Sequence, residues 1–167
     1  LTILNAIPTA EGAIQLAMEK MPKTLHASNV LVMGFGRIGK ILSKMLWGIG
    51  ANVYVSARKI YDLAYIKSYG YNPILMEKLI DNISGMDIIF NTVPSLVLDK
   101  DVLEKVNKSS IIIDLASKPG GVDFKEADKL DIKTYHALAL PGKSAPLTAA
   151  HYIKQSIYNI LLERGYE

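Results

Sequence analysis

Four apolar residues in a row, Val30-Leu31-Val32-Met33, read as a strand buried on both faces. The turn Gly34-x-Gly36-x-x-Gly39 follows. Ile38, Ile41, Leu42, Met45, Leu46 and Ile49 then fall on one side of a helix. Short apolar runs and helical periods go on alternating down the chain. Gly50 closes the helix, and residues 52–56 predict the second strand. A helix over 61–69 ends at Gly70, a third strand covers 73–75, and a short helix over 77–83 stops near Gly85. Residues 87–91 predict the fourth strand, 99–106 a helix, 110–115 the fifth strand, 123–129 a short helix and 132–136 the sixth strand. A loop through Pro141-Gly142-Lys143 leads to a last helix that starts at Ser144 or Leu147 and runs to Arg164. Ala149, Ile153, Ile157, Ile160 and Leu161 repeat along it every three to four residues. Ahead of all this, Pro8-Thr9-Ala10-Glu11-Gly12 begins a helix capped by Thr9 or the residue before it, with Glu11 in its first turn. Ala13, Ile14, Ala17, Met18 and Met21 form its apolar side, and Pro22 ends it.

Six strands alternating with helices predict an α/β fold. It is a Rossmann-like, doubly wound parallel sheet of order 3-2-1-4-5-6 with helices on both faces. Residues 1–27 form a leading helix, which either connects to another domain or simply covers the sheet. Residues 28–167 form a dinucleotide-binding domain that includes the C-terminal helix. The chain opens on Leu1 rather than Met and runs straight into a helix, so a fragment lacking an N-terminal substrate domain is expected.

Strand, glycine turn and helix come in the order of a dinucleotide site. Gly34 permits the tight turn, Gly36 leaves room for a pyrophosphate, and Gly39 lets the helix pack close to the strand. The helix N-terminus offers free N–H donors to phosphate. Phe35, Arg37 and Ile38 complete the motif; Arg37 either meets phosphate or points to solvent. In such folds the ligand lies across the carboxyl ends of the strands. The loops after the fourth and fifth strands, Thr92-Val93-Pro94 and Ala116-Ser117, are therefore further cofactor contacts.

An NAD site places an acid at the end of the second strand. Here that place reads Ser56-Ala57-Arg58-Lys59, and no acid lies between Gly34 and Asp62. A hydroxyl and two cations favour the 2′-phosphate of NADP, with the guanidinium able to bond it bidentately or to stack on adenine. The alternative is NAD, with Ser56 on its ribose and Arg58 and Lys59 a solvated pair.

The 167 residues carry a net charge of +3, too small to argue for nucleic acid, and no Lys/Arg cluster interleaved with aromatics is evident along the sequence. Half the residues are hydrophobic, yet no apolar run approaches a membrane span, and no signal peptide is visible. With no cysteine there is neither a disulfide nor a thiolate metal site, and no metal is expected. A cytoplasmic location is expected. A homo-oligomer stays open.

Several blocks together resemble the dipicolinate synthase A chain. They are Ile7-Pro8-Thr9-Ala10-Glu11-Gly12-Ala13-Ile14, Gly34-Phe35-Gly36-Arg37-Ile38-Gly39, Val55-Ser56-Ala57-Arg58, Asp114-Leu115-Ala116-Ser117-Lys118-Pro119-Gly120-Gly121 and Leu140-Pro141-Gly142-Lys143-Ser144-Ala145-Pro146. The resemblance covers nearly the whole chain, and its first and fourth blocks are more specific than the glycine motif. It implies a sporulation enzyme that oxidises a dihydrodipicolinate-level precursor to dipicolinate with NADP. It also implies an N-terminal domain ahead of this chain, together with a flavoprotein-like second subunit. Hydride would pass from a dihydropyridine ring to nicotinamide, with aromatisation driving the step, so the protein mainly holds two flat rings in contact. A dicarboxylate substrate calls for nearby cations, which makes Lys118 and Lys143 catalytic candidates, with Ser117 beside them.

Two rival readings remain. A 2-hydroxyacid dehydrogenase has a similar layout, with an Arg after the fifth strand and a Pro-His pair after the sixth. Here Lys118 stands near the Arg place and Pro141-Gly142 where Pro-His would be, so an alcohol oxidation lacks its base. His136 and His151 read as structural, and Asp114 is either catalytic or a loop anchor at the end of its strand. The other rival is a non-catalytic NADP-sensing module.

Overall fold

The computed structural model describes residues 3–165; Leu1, where the chain opens, lies outside them. The strands are β1 (Asn29–Met33), β2 (Asn52–Ala57), β3 (Asn72–Leu75), β4 (Ile88–Asn91), β5 (Ile111–Asp114) and β6 (Lys133–His136). All pair in parallel, in the order β3-β2-β1-β4-β5-β6. Val30, Leu31, Val32 and Met33 have no exposed surface, which is why the central strand is uniformly apolar instead of alternating. The pairing sets Met33 beside Ser56 and Asn91, Asn91 beside Asp114, and Asp114 beside His136. The carboxyl ends of five strands thus form one row.

Val30, Val32, Val53, Val55, Phe90 and Ile113 face one core layer. It is covered by α1 (Ala6–Lys20), α2 (Arg37–Gly48) and α3 (Ile60–Ser68). Leu31, Met33, Ile89 and Ile112 face the other, covered by α4 (Lys100–Leu103) and α5 (Phe124–Lys129). The leading helix covers the sheet: Ala10, Ala13 and Ala17 are fully buried, and their small side chains bring α1 close. The loop after α1 is tied to the sheet by Asp87, which takes hydrogen bonds from Lys23 and from the Asn29 amide at 2.7 Å. Burial alone would raise this carboxyl, but those two partners hold it below the usual carboxylate range.

Four local expectations differ. The first helix starts at Ala6 with Asn5 at its cap position. Thr9 therefore lies inside it, bonded back to the Asn5 carbonyl at 2.6 Å, and Glu11 lies beyond the first turn. No helix covers 77–83; two 3₁₀ turns, Met76–Lys78 and Ile83–Gly85, replace it. The Asn82 side chain takes the Lys78 carbonyl at 2.8 Å, the acceptor an α-helix would give to the Asn82 N–H. The helix expected over 99–106 is the single turn α4, capped by Asp99 and continued by i→i+3 turns at Lys105 and Val106. Pro141-Gly142-Lys143 is helix, not loop. It belongs to α6 (Leu140–Ser144), held to α1 by the Ser144 hydroxyl donating to the Pro8 carbonyl at 3.0 Å. The last helix, α7 (Pro146–Glu163), begins at a proline in its first turn, where no N–H is needed.

Candidate functional site

The three motif glycines have three separate reasons to lack a side chain. Gly34 holds φ +94°, and a Cβ on it would lie 2.6 Å from the Thr92 hydroxyl. A Cβ on Gly39 would run into the Gly34 carbonyl. A Cβ on Gly36 would meet no protein atom within 4 Å. The first two are required by the fold. The third guards open space at the N-terminus of α2, where backbone donors suit an anion. These residues fit a dinucleotide pyrophosphate.

The loops around this space are held from beneath. Thr92 donates to the Met33 carbonyl at 2.8 Å and so fixes the loop after β4 against the glycine turn. Asn91 is fully buried; its amide donates to Asp114 at 2.8 Å and to the Val93 carbonyl at 3.0 Å, and its oxygen accepts from the Val93 N–H at 3.0 Å. Asp114, also fully buried, accepts from Ala116 N–H at 3.0 Å on one oxygen and from Gly121 N–H at 2.8 Å on the other. His136 Nε2 donates to the Ala116 carbonyl at 2.9 Å, which fixes its tautomer, and its ring stacks on Phe124 at 5.2 Å. Asp114 thereby ties the Asn91 side chain to the backbone of the loop 116–121, and His136 is held against the same loop. Asn91 was not singled out from the sequence. Its signal is a polar residue closing an apolar strand, Ile88-Ile89-Phe90-Asn91, as Asp114 closes Ile111-Ile112-Ile113.

The remaining candidates divide. Arg37 is exposed at the start of α2, and Ile38 packs partly into the core. Phe35 turns its ring into the protein beside Tyr69, so only its backbone is left for a ligand. Ser56 is a correction. Strand alternation puts it on the face opposite Val55, fully buried, with its hydroxyl 3.8 Å from the Met76 sulfur. It presents no hydroxyl to a ribose or phosphate. Arg58 is exposed immediately after β2, and Lys59 is exposed beside it, donating to the Tyr61 hydroxyl at 3.0 Å. That hydrogen bond raises the Lys59 pKa. Val93 and Pro94 lie at the surface of the loop after β4. Ala116 is buried, whereas Ser117 and Lys118 are exposed; the Lys118–Pro119 peptide is cis. Lys143 is exposed on α6 and lines a groove with Gln15 and Glu19 of α1, a groove shared with no residue of the loop 116–121. Exposed His151 on α7 makes a ring contact with Tyr152 at 6.2 Å. No cluster of metal-ligating side chains is present among the described residues. No helix among them is long and apolar enough to cross a membrane.

Comparison with known proteins agrees with this geometry. Residues 8–122 match the family model described as D-isomer specific 2-hydroxyacid dehydrogenase, NAD binding domain. The dipicolinate synthase A chain of Bacillus subtilis (strain 168) is 40% identical over 98% of this chain, which spans 55% of that protein. The crystal structure of the dipicolinate synthase A chain from Bacillus subtilis superposes with a TM-score of 0.95 at 41% identity, over 97% of this chain and 54% of that one. Its counterpart from Bacillus halodurans gives 0.93 at 39% identity, over 95% and 55%. The likeness to the dipicolinate synthase A chain read from the sequence blocks is therefore real, and this chain spans about half the length of those relatives. With the glycine turn, the open space above Gly36 and the row of strand ends all in place, the chain belongs to the D-isomer specific 2-hydroxyacid dehydrogenase NAD-binding domain family.

Proposed function

We propose that this chain is the cofactor-binding half of a dipicolinate synthase A chain, oxidising a dihydrodipicolinate-level precursor to dipicolinate with NADP. The observation that carries the reading is the open space over Gly36 at the start of α2, beside the row of strand ends. The bound dinucleotide would supply a hydride acceptor at its nicotinamide ring. The Gly34–Gly39 turn and the α2 N-terminus hold the pyrophosphate. Arg58 meets the 2′-phosphate, with Lys59 adding charge beside it. Asp114 and Asn91 fix the backbone of the loops that border the nicotinamide end. Ser117 and Lys118 stand exposed on one of them, where the ammonium can attract a substrate carboxylate. One hydride and one proton leave the ring, so aromatisation supplies the driving force and the demand on a protein base is small. Lys143, seated against α1, has the weaker claim of the two lysines.

The substrate wall belongs, on this reading, to the part of the longer protein outside this chain. It would attach beside the corner where the Ser144 hydroxyl on α6 donates to the Pro8 carbonyl on α1. Ile3 and Leu4 before α1, and Leu147, Ile153 and Ile157 along α7, are exposed apolar side chains with no cover. The relatives' name also implies a second subunit. The cytoplasm fits a redox enzyme whose sequence here contains no cysteine.

Calorimetric titration of NADP and NAD tests the cofactor choice. A charge-assisted bond to the 2′-phosphate, weakened by exposure, gives about ten-fold preference for NADP, narrowed by added salt. Arg58→Ala is expected to weaken NADP and leave NAD nearly unchanged. Equal wild-type affinities, or equal losses in the variant, would return Arg58 to the role of a surface residue.

A further inference from the structure

The modest net charge conceals an uneven distribution. Residues 34–71 carry six Lys/Arg and one acid, Asp62, whereas the rest of the chain carries thirteen Lys/Arg and fifteen acids. The same segment supplies Phe35, Trp47, Tyr61, Tyr65, Tyr69 and Tyr71. Two of these cations, Lys40 and Lys44, meet four of the rings, Phe35, Trp47, Tyr69 and Tyr71, on the edge formed by α2, the end of α3 and the approach to β3. There the chain leaves a cleft of about 660 Å³.

The cleft has an aromatic floor and a cationic rim. Phe35 packs against Tyr69 at 6.3 Å and Tyr69 against Tyr71 at 6.0 Å. Lys40 stands 5.0 Å above the Phe35 ring, Lys44 follows one turn later on α2, and no carboxylate is found among the described residues that line the space. Trp47 is 57% and Tyr69 56% exposed, so the core does not use these surfaces. Exposed Ile60, Tyr61 and Tyr65 extend the apolar area along α3. Exposed tryptophan and tyrosine beside an apolar cleft mark an interaction site, since these are the residues that most often anchor one.

We propose that this groove seats the second protein subunit, which sets an apolar side chain against Tyr69 and Trp47 and carboxylates against Lys40 and Lys44. The proposal rests on the reading above that the chain works with such a subunit. Charge selects an acidic partner segment, because Lys40 and Lys44 rim the cleft and its described lining residues include no acid. Ring geometry favours protein over nucleic acid. The rings tilt into one another at 49° and 37°, forming a cup for a side chain instead of a series of open faces for successive bases.

The test uses the full-length chain and the purified second subunit, with affinity measured for wild type, Trp47→Ala and Lys44→Glu. Both side chains are exposed on α2 and lie outside the cofactor residues, so thermal melting and NADP titration should stay as in wild type. The expected result is a loss of about ten-fold or more in each variant, and wild-type binding that weakens as salt rises. Unchanged affinity in both variants, or no binding by wild type, would overturn the proposal. So would variants that lose a single-stranded oligothymidine probe yet keep the subunit. Failure of wild type to bind NADP would instead count against the proposed function, which separates the two.

Discussion

Gly36 and Gly39 are three residues apart and make opposite predictions. A side chain on Gly36 meets nothing in the protein, so Gly36→Val should leave circular dichroism and melting unchanged while abolishing NADP binding, because only the ligand would clash. Even the single methyl of Gly39→Ala meets the Gly34 carbonyl, so that variant should lose stability whether or not ligand is present. Unaltered NADP affinity in Gly36→Val would remove the dinucleotide from this turn. Gly34 and Gly39 were legible because each marks a place where the fold leaves no room for a side chain, a constraint written into residue type. Ser56 was not legible from its type. Its role depends on which side of β2 it faces, and the alternation Val53, Val55, Ala57 toward α2 sends it the other way, beneath Met76. An acid at position 56 would therefore be buried among apolar groups and would cost stability before it could select a cofactor.

At the scale of elements, the sheet was legible and the links between strands were not. Apolar runs bounded by turn residues fix six strands and, with the crossover rule, their order. The 3₁₀ turns before β4 and the helical Leu140–Ser144 depend on single side chains, Asn82 and Ser144, whose partners only the folded chain reveals. The same holds for the Asn91–Asp114 pair, which joins two loops that are adjacent only through the β4–β5 register. Asp114→Asn tests that clamp. One carboxylate oxygen would become an amide nitrogen, leaving either the Gly121 N–H or the pair on the other oxygen facing a donor. A buried donor left without its acceptor costs about 1–3 kcal/mol, measurable by urea unfolding. If the clamp also sets the nicotinamide-side loops, NADP affinity should fall beyond what instability explains, while a control at the exposed neighbour, Ser117→Ala, keeps both fold and stability. Unchanged stability in Asp114→Asn would mean that the loops are held by the backbone alone.

The whole molecule keeps large apolar side chains exposed outside its two core layers. α1 seals one core layer with fully buried alanines, yet Met18 on its outer side is 55% exposed. α7 buries Ala149 and leaves Leu147 87% and Leu162 65% exposed. Exposed side chains of this size on an 18-residue helix are disfavoured in water unless something covers them. Two expectations follow for the two lengths of the protein. The 167-residue chain has its own core on both faces of the sheet, so it should bind NADP with the affinity of the longer protein, because the glycine turn, Arg58 and the loops after β4 and β5 all lie within it. It should not turn over a dihydrodipicolinate precursor. Hydride transfer needs the substrate ring held against the nicotinamide, and on the proposed reading these residues supply the cofactor side of that contact. The full-length protein should turn over, and it should also cover the apolar face of α7, seen as slower hydrogen exchange across residues 147–162 than in the short chain. Steady oxidation of the precursor by the short chain alone would show that the catalytic wall is already present in these residues. Equal exchange along α7 at both lengths would show that the remaining sequence does not dock there. Cofactor binding without turnover, together with a protected α7 in the longer protein, would place the catalytic cleft at the boundary between this chain and the remaining sequence.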